Sequence, residues 1–358
     1  MSIKTLVIGR CPKTVEQFST FCDKVIIALD QSFGRERNLP ELKKYPIVYC
    51  KSNISTPKGI IQRAIEIKRF INKYDIDIVF SNTKWDMVAA KLASLFCSKK
   101  ITLLATNHNS YSWQDPKNVR KMSILIKYTT DYYVALASFV YDQLKSLGIK
   151  NVILVPNTVG YETWEVKDDY SVKGQFRMVY VAFVYPGKRQ DMIVDVLNLL
   201  KTKYDIVVDC YGDLDECIEY VNEINKKIAD NHLEGKFNLK GKIENSALRP
   251  LLKEYDAYFS PSHMEMSPVN LMEAQAAGLP VVAARVGGIP DIIHDGQTGL
   301  LFEVDNPQSA ADTIEKLIVS IDLRKTIGQA GRKYVSKEYT KVQAGERLKK
   351  AIIQKNPQ

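Results

Sequence analysis

Residues 260–301 read SPSHMEMSPVNLMEAQAAGLPVVAARVGGIPDIIHDGQTGLL. Ser267 is a favoured helix N-cap, Pro268 suits the first helical position, and Gly278 suits the position after the last one. The apolar run Val281–Ala284 that follows is typical of a buried strand, and a pair of glycines comes soon after it. A strand end, a short helix and a second strand in this order predict a parallel sheet that is covered by helices.

Short β-branched runs alternate with amphipathic helical patterns along the rest of the chain. The runs are KTLVIG, DKVIIALD, PIVYC, DIDIVFSN, ITLLATN, DYYVALAS and NVILVPN in the first half, then FRMVYVAFVY, DIVVDCYGD, KFNLKG and DAYFSPS. The alternation pauses at residues 158–175, which we interpret as a linker. We therefore predict an α/β protein of two facing Rossmann-like, doubly wound parallel-sheet domains, residues 1–160 and 161–339, with a ligand cleft between them. The helical stretch 340–358 is expected to return to the first domain.

The composition of the 358 residues is that of a globular protein, with 45% hydrophobic and 25% charged residues. No run of 18 apolar residues occurs, and the N-terminal sequence MSIKTLVIG has no signal-peptide cleavage site after it. The six cysteines are scattered without a spacing that suits a metal or a disulfide framework. These features argue against a disordered chain, a coiled coil and a membrane-spanning protein, and we expect a cytoplasmic protein with reduced thiols.

Positive charge is concentrated in the first half of the chain. Residues 1–160 contain 24 Lys and Arg against 12 Asp and Glu, whereas residues 161–358 contain 26 against 29. A basic domain favours phosphates, anionic lipid or nucleic acid as partners, with a solvated lysine-rich surface as the alternative. The segment Lys117–Tyr128 combines four cations with an apolar set and predicts peripheral docking on the inner face of an anionic membrane. Its apolar residues are Met122, Ile124, Leu125 and Ile126.

The predicted helix after Ser267 begins with backbone N–H groups that have no acceptor within the helix, chiefly those of Val269 and Asn270. Together with the positive end of the helix dipole, these groups form an anion site that suits a diphosphate. Glu265 precedes this helix and Glu273 lies inside it, and a carboxylate can accept hydrogen bonds from two hydroxyls of a sugar or a ribose. Two surface glutamates remain the alternative interpretation of these positions.

The pattern Glu265, seven residues, Glu273 is followed by GLPVV at residues 278–282 and by a glycine turn at residues 287–288. This block resembles the donor-binding region of family 4 of the retaining glycosyltransferases, which have the GT-B fold of two facing Rossmann-like domains. Tyr211-Gly212-Asp213 and Lys242-Ile243 resemble strand ends of the same family. The resemblance is strong over residues 155–345, and over residues 1–154 it rests mainly on topology.

The resemblance implies a metal-independent glycosyltransferase without a cofactor, of the hexosyltransferase class. Such an enzyme moves a sugar from a nucleotide-diphosphate donor, a UDP- or GDP-sugar, to a glycan or lipid-linked acceptor in cell-envelope polysaccharide biosynthesis. It implies three catalytic residues, Glu265, Lys188 and His108, of which His108 faces the transferred sugar. It also implies a set of donor-binding residues: Gly9, Arg10, Arg189, Gly212, Lys242, Ile243, Met266, Ser267, Pro268, Val269, Asn270 and Glu273. Protein cations and the helix dipole would neutralise the leaving diphosphate, and no metal ligand is expected.

Two departures from the family pattern concern the phosphate site and the acceptor side. Phe183 stands where the family has an arginine, whereas Lys188 is retained and Arg189 could supply the missing guanidinium. The loop Gly9–Lys13 has one glycine where many members have two, so the acceptor-binding surface is expected to differ.

Three alternative functions stay open on the sequence alone. A nucleotide-sugar epimerase or phosphorylase would share the GT-B architecture, and a catalytically inactive GT-B protein could act as a partner subunit. A nucleic-acid-binding protein would explain the basic first half. It would not explain the block at residues 260–301, and no helix-turn-helix, zinc or RNA-binding signature is present, so nucleic acid is not expected as a partner.

Overall fold

The computed structural model describes residues 2–9, 12–30 and 42–353. Arg10, one of the predicted donor-binding residues, lies outside the described residues. The chain divides into two compact units, Met1–Asn157 with Lys341–Gln358 (unit 1) and Thr158–Thr340 (unit 2). Each unit is a parallel sheet with helices between its strands, so the predicted α/β class with two Rossmann-like domains is confirmed.

Unit 1 alternates strands and helices along the chain. Its elements are β1 (Lys4–Ile8), α1 (Pro12–Ser19), β2 (Lys24–Asp30), β3 (Ile47–Cys50), α2 (Pro57–Tyr74), β4 (Ile78–Ser81), α3 (Lys84–Ser94), β5 (Thr102–Ala105), α4 (Pro116–Thr129), β6 (Tyr132–Ala135), α5 (Ser138–Ser146) and β7 (Val152–Leu154). The described strands form one sheet in the order β3-β2-β1-β4-β5-β6-β7, and all neighbouring pairs are parallel. The direction of winding therefore reverses between β1 and β4.

Short polar side chains fix where three helices of unit 1 begin. Thr56, Thr83 and Asp115 occupy the N-cap positions of α2, α3 and α4, and each accepts a hydrogen bond from an N–H two or three residues ahead. Each bond satisfies an N–H that the helix itself cannot satisfy. The loops that enter these helices are consequently short and defined at the carboxyl edge of the sheet.

Unit 2 repeats the same alternation. Its elements are β8 (Phe176–Val181), α6 (Gln190–Leu200), β9 (Ile206–Tyr211), α7 (Ile218–Asp230), β10 (Phe237–Gly241), α8 (Asn245–Leu251), β11 (Ala257–Ser260), α9 (Val269–Ala276), β12 (Val281–Ala284), α10 (Ile289–Ile292), β13 (Leu300–Phe302), α11 (Pro307–Val319) and α12 (Ile321–Glu338). The sheet order is β10-β9-β8-β11-β12-β13, again with parallel neighbours. Because the winding reverses beside β8, a ligand crevice is expected at the carboxyl ends of β8 and β11.

The start of α9 differs from the sequence prediction by one residue. The helix begins at Val269, and Pro268, which occupies the N-cap position, makes no side-chain capping hydrogen bond. The prediction that Ser267 is the N-cap is therefore wrong, because Ser267 belongs to the buried loop that precedes the helix. Gly278 follows the C-cap with φ +73°, the left-handed conformation that glycine adopts without strain, as the sequence predicts.

The last described helix, α13 (Lys341–Ile353), belongs to unit 1 and packs on α1. Gly345 allows the close approach, since a Cβ at this position would lie 1.8 Å from Thr20 Oγ1 and 2.8 Å from the Gln17 carbonyl oxygen. Among the described helices of the whole chain, none is long and apolar enough to cross a membrane.

Gly345→Ala should lower the free energy of unfolding of the protein because the new methyl group displaces α13 from α1. In an unobstructed helix the same change would stabilise by about 1 kcal/mol, so the expected sign is opposite to that of helix propensity. Chemical denaturation of the full chain measures the effect, with Lys349→Ala on the exposed face of α13 as the control. A stability of the glycine variant at or above that of the wild type would contradict this packing.

Candidate functional site

Two side chains hold the carboxyl end of β8 in the crevice of unit 2. The Tyr258 hydroxyl accepts from the N–H of Val181 at 3.1 Å and donates to its carbonyl oxygen at 3.0 Å. The same carbonyl oxygen accepts a hydrogen bond from the Asn270 amide at 2.8 Å. Because Asn270 lies in the first turn of α9, this bond ties the N-terminus of α9 to the end of β8.

Lys188 and Glu265 form an ion pair beside this strand end. Lys188 ends a short 3-10 turn, Pro186–Lys188, that follows β8, and Glu265 lies in the loop between β11 and α9. The two side chains are only 15% and 11% exposed. The Glu265 Oε1 atom also accepts a hydrogen bond from the Ser262 hydroxyl at 2.8 Å. A carboxylate with so little contact with water needs a cation and hydrogen bonds to replace its hydration, and the site supplies both.

The glycine turn that is prominent in the sequence packs against the backbone of Glu265. The N–H of Gly288 donates to the Glu265 carbonyl oxygen at 3.0 Å. Gly287 has φ +53°, and a Cβ at this position would lie 1.9 Å from the same carbonyl oxygen. Glycine fits because it tolerates the positive φ and leaves the space that the carbonyl group occupies. The turn thus fixes the main chain that carries the carboxylate.

A second close approach joins the ends of β8 and β9. A Cβ on Gly212 would lie 1.9 Å from the Ala182 carbonyl oxygen, so only glycine lets these two segments meet. Lys242, which follows β10, pairs with Asp213 at 2.7 Å. The half-buried Ile243 packs against the core of unit 2. These residues lie along the carboxyl edge of the sheet, on the side of β8 that is opposite β11 and Glu265. The Lys242 ammonium is paired with the Asp213 carboxylate.

Arg189 is engaged by carboxylates as well. Its backbone adopts the left-handed conformation, with φ +54°, and its guanidinium pairs with Asp191 at 3.2 Å and with Asp305. Asp305 also lies 2.6 Å from the Nδ1 atom of His263. Phe183, where the family resemblance leads one to expect an arginine, is 59% exposed. The two cations that follow β8 therefore have different partners: Lys188 pairs with Glu265, whereas Arg189 pairs with Asp191 and Asp305.

The part of the loop that directly precedes α9 is buried. Met266, Ser267 and Pro268 are buried, whereas Val269 and Asn270 in the first turn are half-buried. Glu273, one turn further along the helix, is also half-buried. The loop therefore presents the first N–H groups of α9 at the same end of the sheet as Lys188 and Glu265.

In unit 1 the predicted residues lie at the carboxyl edge of the sheet. Gly9 follows β1 with φ +103°, and the Asn82 side chain, which donates to the Ile8 carbonyl oxygen, lies beside it. His108 is exposed in the loop that follows β5. Both positions agree with the strand-end placement that the sequence predicts.

A buried charge cluster in unit 1 was not anticipated from the sequence. Arg63 on α2 is 1% exposed and donates to Asp86 at 3.0 Å, to the Ser52 hydroxyl at 2.8 Å and to Asp30. Burial raises the pKa of the Asp86 carboxyl, an effect that its hydrogen bonds oppose. The cluster ties the ends of β2 and β3 to α2 and α3. An arginine in an amphipathic helix ordinarily indicates a surface position, so no local signal reveals the cluster.

Three hydroxyl groups beneath the unit 2 site were also not predicted from the sequence to have a role. Tyr180 and Tyr258 lie in apolar strands, and Ser262 follows β11; all three are fully buried. In a strand of mostly aliphatic residues, a tyrosine is naturally interpreted as core. The signal in the sequence was the hydroxyl of a residue predicted to be buried, because a buried hydroxyl requires a hydrogen-bond partner.

Gly287→Ala should displace the main chain of Glu265 and lower thermal stability by more than the strain of a positive φ alone would. A non-glycine residue in the left-handed region costs about 1–2 kcal/mol, and here the methyl group also collides with the Glu265 carbonyl group. Gly296→Ala is the matched control, because Gly296 has φ +73° with open space around its Cα. Thermal denaturation should show a distinctly larger loss for the Gly287 variant; equal losses for the two variants would contradict the packing described above.

Family comparisons agree with the architecture of both units. The model described as Glycosyltransferase Family 4 matches residues 24–162, and the model described as Glycosyl transferases group 1 matches residues 163–334. The crystal structure of Anabaena Alr3699/HepE in complex with UDP and glucose superposes with a TM-score of 0.81 at 18% identity, covering 98% of this chain and 100% of that one. That likeness establishes the fold.

Curated relatives carry glycosyltransferase names. An uncharacterized glycosyltransferase of Methanocaldococcus jannaschii, MJ1178, is 29% identical over 226 residues, which span 62% of this chain and 60% of that protein. The GDP-mannose-dependent alpha-(1-6)-phosphatidylinositol monomannoside mannosyltransferase of Mycobacterium tuberculosis is 22% identical over 320 residues, which span 82% of this chain and 80% of that protein. The two family models follow one another along the chain in the order of the two units, and the protein therefore belongs to the group 1, family 4 glycosyltransferases.

Proposed function

We propose that the protein transfers a sugar from a nucleotide-diphosphate-sugar to an acceptor hydroxyl, with retention of the anomeric configuration. The observation that carries the proposal is the ion pair of Lys188 and Glu265 beside the N-terminus of α9. A cation, a carboxylate and the N-terminus of a helix at one strand end match the needs of a reaction in which a diphosphate leaves and a sugar becomes positively charged.

Each group has a distinct task in this reaction. Lys188 and the N–H groups of Val269 and Asn270 stabilise the negative charge of the leaving diphosphate. Glu265 orients the sugar and stabilises the positive charge that develops on it as the bond breaks. Glu273 accepts hydrogen bonds from the ribose hydroxyls, a contact that is alike in the ground and transition states.

Arg189 is assigned a smaller part than Lys188 in binding the leaving diphosphate. Its guanidinium would have to leave Asp191 and Asp305 to reach a phosphate, whereas the Lys188 ammonium carries three donors and can serve a carboxylate and a phosphate together. Lys242 is likewise paired, with Asp213. On this proposal the backbone at Gly212, Lys242 and Ile243 receives the base of the nucleotide.

The donor is proposed to be a UDP- or GDP-sugar. The Anabaena structure holds UDP, and the M. tuberculosis relative is named for its use of GDP-mannose. Unit 1 is proposed to bind the acceptor, while Gly9 keeps its proposed role in donor binding and His108 its proposed role beside the transferred sugar. A glycan or a lipid-linked acceptor fits the basic character of this half of the chain.

Lys188→Ala should lower the turnover of UDP-glucose or GDP-mannose by about 10²–10³-fold, because a preorganised cation that faces the leaving group is lost. Release of UDP or GDP, with and without a glycan acceptor, measures turnover. Arg189→Ala should have a smaller effect, and Lys253→Ala, which removes an ammonium paired with Glu165 elsewhere in unit 2, should have none.

A double variant is the further control in this test. Lys188→Ala leaves Glu265 without its cation and is expected to destabilise unit 2, so a Lys188→Met, Glu265→Gln double variant is included to remove both charges. The double variant should regain stability and stay inactive. Loss of activity in Arg189→Ala with normal turnover in Lys188→Ala would move the phosphate contact to Arg189. Nucleotide binding without any turnover by the wild type would favour an inactive partner protein.

The acceptor proposal includes docking of unit 1 on an anionic membrane, and the structure changes which residues can contribute. Met122 and Ile126 are buried against unit 1, so the prediction that they insert into lipid is wrong. Ile124 on the same helix is exposed. α3 packs against both α2 and α4, which places further exposed apolar residues in the same helical layer. They are Ile61, Ile65, Leu95, Phe96 and Tyr128.

Cations surround these exposed apolar side chains. The Lys68 ammonium lies over the Phe96 ring at 5.8 Å from its centre, and Lys127 lies over Tyr128 at 5.9 Å. Lys121 and Arg69 are exposed on α4 and α2. Apolar rings at the acyl boundary with cations at the phosphates are the arrangement that peripheral membrane helices use.

Phe96→Ser with Ile124→Ser should weaken binding to vesicles that contain anionic lipid, because the exposed apolar contacts are lost. Val319→Ser in unit 2, where the valine is 68% exposed, is the matched control. Cosedimentation across a salt series should show binding that falls as salt rises, since each Lys or Arg near the surface contributes about 1 kcal/mol at low salt. Equal binding to neutral vesicles, or no binding at low salt, would leave a soluble acceptor as the better assignment.

A further inference from the structure

We infer that Ser262 and Tyr180 are positioning residues that hold the Glu265 carboxylate in one orientation. The inference rests on the proposed function, in which Glu265 faces the sugar. Neither residue would contact the donor, because both side chains are fully buried beneath the site. They would act through hydrogen bonds that end on the carboxylate.

The three residues form a continuous chain of hydrogen bonds. The Tyr180 hydroxyl lies 2.7 Å from Ser262 Oγ, and Ser262 Oγ lies 2.8 Å from Glu265 Oε1. Tyr180 is in β8 and Ser262 follows β11, so the chain crosses from one strand of the switch point to its neighbour. Glu265 itself is carried by the loop that leaves β11. The hydrogen bonds therefore fix the position of the Glu265 carboxylate relative to β8 and β11.

The direction of the protons follows from the acceptors. A carboxylate is acceptor-only, so Ser262 donates its single proton to Glu265. The Ser262 oxygen can then accept from Tyr180, which at 2.7 Å is a better placed partner for the phenol than the Lys188 carbonyl oxygen at 3.3 Å. Burial, and secondarily the Glu265 charge, raises the pKa of the Tyr180 hydroxyl well above its usual range, so the phenol keeps its proton.

Orientation matters here because the last torsion of a glutamate is soft. Rotation about the bond to a carboxylate has broad minima, and one ion pair alone does not select an angle. Ser262 and Lys188 both bind Oε1, and no hydrogen bond to Oε2 is found among the described residues. The chain thus fixes one oxygen and leaves the other for a bound sugar hydroxyl.

Packing alone does not account for the two hydroxyl groups. The Tyr180 ring packs edge-on against Tyr258, with ring centres 6.1 Å apart, a contact that phenylalanine would keep. Alanine at residue 262 would remove one oxygen atom from a buried position. What both substitutions would remove in common is the hydrogen-bond chain to Glu265.

Steady-state kinetics of nucleotide release by full-length variants tests the inference. Ser262→Ala should lower kcat by about tenfold or more, the loss expected when a hydrogen bond to a charged group is removed, with little change in donor KM. Tyr180→Phe should have a smaller effect in the same direction. The double variant should be no worse than Ser262→Ala, because both residues act through one chain. Ser262→Thr keeps the hydroxyl and should recover most of kcat.

Ser260→Ala is the matched control. Ser260 ends β11, is 1% exposed, and its hydroxyl has no hydrogen-bond partner among the described residues. Its removal should leave kcat and KM unchanged. Melting temperatures separate positioning from folding, since a purely structural role would lower stability and leave the kcat of the folded enzyme intact.

The outcomes distinguish the inference from the function on which it rests. An active wild type with unaltered kcat in Ser262→Ala, or with additive losses in the double variant, would overturn the positioning role and leave the proposed function standing. A well-folded wild type that turns over no nucleotide-sugar would overturn both. A loss confined to donor KM would assign Ser262 to nucleotide binding and would also overturn the inference.

Discussion

Burial of the Glu265 carboxylate is the constraint on which the site of unit 2 depends. A charged group shielded from water costs several kcal/mol unless it is paired and hydrogen-bonded. Here Lys188 supplies the cation and Ser262 a hydroxyl donor, while the turn at Gly287 holds the main chain. These three residues follow three different strands, β8, β11 and β12. The carboxylate can be satisfied only when all three strands are in place, so the site is a property of the assembled sheet rather than of any one motif.

Unit 1 contains a buried charge of the opposite sign that is satisfied differently. The donors of Arg63 reach Asp86, Asp30 and Ser52, so every part of its guanidinium is engaged by the protein. Glu265, in contrast, concentrates its protein contacts on one oxygen. A buried charge whose hydrogen-bonding capacity is exhausted internally serves the fold, whereas one with capacity left over can serve a ligand. This difference is the physical reason for placing the candidate site in unit 2 at Glu265.

The sequence predicted those features that depend on local pattern. Alternating strands and helices were enough for the fold class, and the glycines with Glu265 and Glu273 marked the segment in which we propose the site. The helix start at Val269 in place of Pro268 was missed because capping preferences do not register that Ser267 lies in a buried loop. The pairing of Lys188 with Glu265 joins residues 77 positions apart and follows from strand order and loop path, which single-sequence patterns do not encode. The Arg63 cluster was missed for the same reason.

A leaving diphosphate changes the demands on Lys188 during the proposed reaction. The ammonium pairs with Glu265 in the structure, and it would have to share its three donors with phosphate oxygens once a donor is bound. As its attraction for the carboxylate is divided, the hold of Lys188 on Glu265 weakens at the stage when the sugar needs a fixed negative charge. Ser262 cannot be diverted in this way, because its hydroxyl is fully buried and its oxygen is bonded to Tyr180. The neutral hydroxyl chain therefore provides an orientation for Glu265 that is independent of the charge state of the phosphate site, which a second cation in its place would not provide.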